Sequence, residues 1–203
     1  MAIISSIEQL RALYEQPTER AIKKDIGHID KHCKSFIELS PFIVISSFNS
    51  HNQADASPRG GKPGFVKVSD KNSLIIPDWG GNNRLDTLTN FLSNNSIGLM
   101  FLIPGVNEVL RVNGNVEIRT DTDYLSLCIE KDKLPKLVLK VIVKESYLHC
   151  AKAILRAGLW DPNSTIERKI LPSASEILKD QLQLNDAPET QEAMYERYKK
   201  ILY

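Results

Sequence analysis

The chain has 203 residues, 42% of them hydrophobic, which is enough for one sizeable core. Its 26 Lys and Arg offset 25 Asp and Glu to a formal charge of +1, which argues against a dedicated nucleic-acid binder. Three cysteines (Cys33, Cys128, Cys150) form no C-x-x-C pair and are expected to be reduced thiols of a cytoplasmic protein. His28 and Cys33 lack the second pair that a zinc site needs. No signal peptide is read in MAIISSIEQLRALY, and no stretch reaches the ~20 apolar residues of a membrane span.

In chain order, residues 5–15 predict a helix, with Ile7, Leu10 and Tyr14 on one face and Pro17 ending it. A short helix follows at 30–36. Residues 41–48 (PFIVISSF) are apolar and β-branched, so they predict a strand, with a partner starting in 51–56. Short strands are expected at 64–68 and 73–77 around an Asp70-Lys71-Asn72 turn. The run 96–103 (SIGLMFLI) fits a strand buried on both faces. Residues 108–119 predict a long strand, in which Asn113-Gly114 is either a bulge or a hairpin turn. A short helix is expected at 121–129 and a last strand at 137–147. Helices then start at 150, 174 and 189. Helices inserted between six or seven strands, without strand–helix alternation, predict a mostly β, antiparallel barrel.

Residues 54–95 carry the chemistry. Ser57-Pro58-Arg59-Gly60-Gly61 reads as a glycine-rich turn bearing an arginine. A polar loop, 78–83, runs into a helix with Leu85, Leu88 and Leu92 on one apolar stripe. Asn82 or Asn83 is the expected N-cap, and Asp86 complements the dipole. Arg84 at that helix start and Arg59 on the turn would form a phosphate site. The alternative is an ordinary turn and a solvated helix start.

Four segments in this order, S-P-R-G (57–60), P-D…G-N-N-R-L-D-T-L-T-N (77–90), L-R-V-N-G (110–114) and H-C-A-K-A (149–153), resemble the pyridoxamine 5′-phosphate oxidase-like FMN-binding family. The resemblance covers roughly residues 25–162. It implies a six- to seven-stranded antiparallel split β-barrel at 41–162, between an N-terminal helical segment (1–40) and a C-terminal helical extension (163–203). It also implies a homodimer with FMN at the subunit interface. On the matched positions, Ser57, Arg59, Asn83 and Arg84 would hold the FMN phosphate. Lys67 would reach the phosphate or ribityl chain, or else face solvent. Pro77 and Asp78 would neighbour the ring; Trp79 would do so too, or sit at the surface. His149 and Lys152 would reach the cofactor from a subunit edge, or His149 would pack an interface. Two functions stay open: an FMN-dependent oxidoreductase acting on a small molecule, and a sensor or storage protein that holds flavin, haem or deazaflavin without turnover. No metal site, nucleic acid or membrane partner is expected, and no catalytic residue is identified.

Overall fold

The computed structural model of the protein describes residues 3–202. Seven strands, β1 (Phe42–Phe48), β2 (Ala54–Gly60), β3 (Lys67–Asp70), β4 (Ser73–Asp78), β5 (Ser96–Leu102), β6 (Val109–Arg119) and β7 (Leu137–His149), make one sheet. Its order is β2-β1-β5-β6-β7-β4-β3, every pair is antiparallel, and the two edge strands β2 and β3 do not pair. The sheet is therefore an open, barrel-like one. Eight α-helices accompany it among the described residues: α1 (Ile7–Arg11), α2 (Glu19–Lys23), α3 (Lys31–Leu39), α4 (Asp86–Ser93), α5 (Thr122–Ser126), α6 (Lys152–Ala157), α7 (Ala174–Leu182) and α8 (Gln191–Lys199).

Period-two alternation sets the inner face. Ile43 and Ile45 of β1, Leu99 and Phe101 of β5, and Leu110 and Val112 of β6 are all essentially buried. Cys33 and Ile37 of α3 and Phe91 of α4 complete the same core. The Asp30 carboxylate caps α3 by accepting the Cys33 N–H at 2.8 Å, which holds that carboxyl below its usual range.

Asn113-Gly114 is a bulge and not a hairpin turn. β6 runs through it, and the β7 register jumps from Asn113↔Glu145 to Gly114↔Val143. A Cβ on Gly114 would lie 2.1 Å from the Ile142 carbonyl oxygen, so only glycine lets the two backbones approach so closely.

The segment read as a glycine-rich turn is a strand. Residues Ser57 to Gly60 belong to β2, with Ser57 opposite Ile45 and Arg59 opposite Ile43. Pro58 is tolerated because β2 is an edge strand.

The apolar stripe on α4 is also different. Leu92 is 81% exposed, and Leu85 precedes the helix; Thr87 and Phe91 are the buried residues. The terminal helices are shorter than the sequence predicts, notably α1 at five residues.

Candidate functional site

The antiparallel pairing of β1 with β2 puts Asp55, Ser57 and Arg59 on one face of β2, each half-buried, while their neighbours are exposed. α4 packs against that face. The Thr87 hydroxyl donates to Asp55 Oδ2 at 3.0 Å and lies 3.1 Å from Ser57 Oγ, and Ser57 Oγ donates to the same Asp55 oxygen at 3.1 Å. One turn further on, the Asn90 amide donates to Ser47 Oγ on β1 at 2.9 Å. These bonds fix the helix start relative to Arg59.

The start of α4 is unusual. Neither Asn82 nor Asn83 caps the helix. Leu85 occupies the N-cap position in the left-handed region (φ 60°), and no side chain bonds the free N–H groups. Asn83 is also left-handed (φ 60°), and the Asn82 carboxamide oxygen accepts the Arg84 N–H at 3.1 Å, closing an Asx turn. The open N–H groups and the dipole therefore face a cleft.

That cleft, about 420 Å³, lies between β2, the end of β4 and the 79–85 loop. Ser57, Arg59, Pro77, Asp78, Asn83 and Arg84 all line it. Both guanidinium groups meet carboxylates there. Arg59 Nε lies 3.7 Å from Asp78 Oδ2, and Arg84 Nε donates to Asp86 Oδ2 at 2.8 Å. The first pair is largely buried and the second is solvent-exposed. Burial pushes the Asp78 carboxyl above its usual range, and the Arg59 and Lys136 charges only partly oppose this.

Three predicted residues lie elsewhere. The Lys67 ammonium donates to the Gly64 carbonyl at 2.8 Å, in a small neighbouring pocket with Trp79 and Cys128. Burial raises the Cys128 thiol to about 11, so that thiol is unreactive at neutral pH. His149 lines a separate cavity on the outer face of the sheet, and Lys152 is exposed at the start of α6.

Residues 29–150 match the sequence profile of the pyridoxamine 5′-phosphate oxidase family. The chain belongs to the pyridoxamine 5′-phosphate oxidase family. The match spans all seven strands and the whole cleft, while α7 and α8 lie beyond it. No curated protein matches the sequence. Solved structures with a similar chain path include HupZ of Group A Streptococcus, 17% identical over 59% of this chain and 93% of that one, at a TM-score of 0.49. Another is a protein described as a putative pyridoxamine 5′-phosphate oxidase of Lactobacillus delbrueckii, 14% identical over 61% and 98%, at 0.48. A third is an FMN-binding protein of Syntrophomonas wolfei, 12% identical over 58% and 83%, at 0.47.

Sequence reading missed Asp55 and Thr87 as the groups that organise the cleft. The signal was present: D-x-S-x-R at 55–59 is a period-two pattern, concealed by reading the segment as a turn.

Proposed function

We propose that the chain is an FMN-binding flavoprotein, and that it acts as an FMN-dependent oxidoreductase on a small molecule. The observation that carries this is the convergence of Arg59, Arg84 and an uncapped helix start on one cleft. A phosphate dianion favours that donor set. The fit is good on three counts. The exposed Arg84–Asp86 pair is worth about 1 kcal/mol or less, so a phosphate can displace Asp86. Arg59 holds Asp78 at a distance longer than a hydrogen bond. Gly81 has open space where a side chain would stand, leaving its backbone accessible.

The Ser57 and Thr87 hydroxyls already donate to Asp55, so their lone pairs suit a hydroxyl donor such as the ribityl chain and not the phosphate, which only accepts. Arg59, Arg84 and the loop N–H groups would hold the phosphate; Pro77 and Asp78 would flank the rest. Bound flavin would supply hydride chemistry. Within one chain His149 and Lys152 lie outside the cleft; a homodimer is the arrangement in which a second copy would bring them to the cofactor. The three unbridged thiols suit a cytoplasmic setting.

The test is the visible spectrum of the purified protein, with the released cofactor identified by mass. The expected result is a flavin spectrum from FMN, lost in the Arg59→Ala, Arg84→Ala double variant. A double variant that keeps its flavin would overturn the phosphate assignment. Turnover of a reduced nicotinamide with artificial acceptors then tests the oxidoreductase activity.

A further inference from the structure

The outer face of the sheet carries a second cavity of different character. On β1, Val44 and Ser46 point outward; on β5, Gly98 and Met100; on β6, Val109, Arg111 and Asn113. Together they line a largely apolar slot of about 270 Å³. Gly98 makes the floor. A Cβ there would fall 2.5 Å from Ser46 Oγ and 3.3 Å from Asn113 Oδ1, so the slot exists because this residue has no side chain. Ala153 and Ile154 of α6 wall one end. That wall is anchored: the Trp160 indole N–H donates to the Val106 carbonyl at 2.8 Å, and Gly158 ends α6 in the left-handed conformation.

One rim of the slot is basic, and it opens into an adjoining recess through two shared residues, Arg111 and His149. The Arg111 guanidinium lies 5.2 Å from the centre of the Tyr147 ring, and the Lys24 ammonium lies 4.7 Å from the same ring. Among the described residues, no carboxylate stands within ion-pair distance of either cation, and the Lys24 ammonium donates only to the Leu148 carbonyl, at 3.5 Å. Two carboxylates, Asp25 and Glu145, also line the recess; they keep their charge, and neutral donors hold one oxygen of each. Asp25 accepts the Gly27 and Ser146 N–H groups at 3.1 and 2.9 Å, and Glu145 accepts the Asn113 amide at 2.6 Å. A half-buried arginine without a counter-ion, at the mouth of an apolar slot, is an electrostatic vacancy for an anion attached to an apolar body.

We infer that this slot binds a flat, apolar organic acid, its ring system against Gly98, Val44 and Met100 and its carboxylate on Arg111, with Lys24 and His149 at the rim. It rests on the proposed flavoenzyme activity only in taking that acid as the substrate class; binding itself requires no flavin.

The probe pair is 2-naphthoate and its uncharged amide, titrated calorimetrically into flavin-free and flavin-loaded protein. A charge-assisted pair predicts that the acid binds about tenfold or more tightly than the amide. Arg111→Gln should erase that difference while leaving amide binding in place. Gly98→Val should abolish both by filling the floor. Because Gly98→Val can also disturb the sheet, its circular dichroism is recorded, and the Arg111→Gln comparison decides the charge recognition. Equal affinity for acid and amide, an unchanged preference in Arg111→Gln, or no binding to either form of the protein overturns the proposal. So does competition by FMN for the slot in a variant lacking Arg59 and Arg84. Loss of flavin retention leaves the acid titration of the flavin-free protein unchanged, so the two readings fail separately.

Discussion

Asp78 shows how one residue is pulled by two demands. Its carboxylate is 16% exposed and sits beside Arg59, which is itself proposed to hold an anion. Desolvation dominates, so the folded pKa stands above the ordinary value. An acid whose pKa rises on folding costs stability in its ionised form, and that cost fades as pH falls through the folded pKa. Asp78→Asn mimics the protonated acid. It should therefore raise the melting temperature at pH 7, with the gain over wild type shrinking as the pH is lowered through the acidic range. Melting curves of both proteins across that range check it; a gain that grows on acidification would contradict the assigned cause. The same variant frees Arg59 and should tighten the binding of inorganic phosphate.

At the scale of the element, the contrast between β6 and β2 shows what a sequence discloses. β6 was legible because alternation and β-branching extend on both sides of Asn113-Gly114; only the pairing with β7 decides between bulge and turn. β2 was obscured because Pro58, Arg59 and Gly60 carry turn propensities, which pairing with β1 overrides. The α4 start was misread for a related reason. Asn82 is spent on a local Asx turn, so the helix begins on Leu85 with a left-handed backbone that costs a leucine roughly 1–2 kcal/mol. Leu85 is 54% exposed and returns little packing energy. Leu85→Asn should relieve part of that strain and raise the melting temperature by about 2–4 °C for each kcal/mol recovered. A fall in melting temperature would mean that Leu85 packs on a ligand or another chain, a role that the exposed conformation does not show.

At the scale of the whole molecule, the region beyond the family match is built on different physics from the barrel. The barrel is held by its apolar interior. In the 165–202 region Met194 is the one buried hydrophobic residue, while Ile170, Leu178, Leu182 and Ile201 are each more than half exposed. Its shape comes from polar groups. The Arg168 guanidinium donates to the Leu171 and Pro172 carbonyls and to Gln191 Oε1, at 2.9, 3.0 and 3.1 Å. The same Gln191 oxygen accepts the Ala174 N–H at 3.2 Å, tying the starts of α7 and α8 together. Ser173 and Glu176 form a reciprocal capping box, and Arg197 grips Glu189 with two nitrogens. This arm was readable as helices from its periodicity, but the Arg168 clamp was not, since it joins residues twenty-three positions apart. Hydrogen bonds exposed to water in this way contribute little net stability, so the arm should open well before the barrel does. Arg168→Ala removes three of them. It should speed proteolysis within 165–202 several-fold and leave the barrel's melting temperature within about 4 °C of wild type, the change that about 1 kcal/mol makes in a domain of this size. A chain ending at Ser164 should melt like the Arg168→Ala variant. If the truncated chain instead melts far lower, the exposed leucines of α7 are covered in solution, and sedimentation of the full-length chain would show whether a second copy covers them.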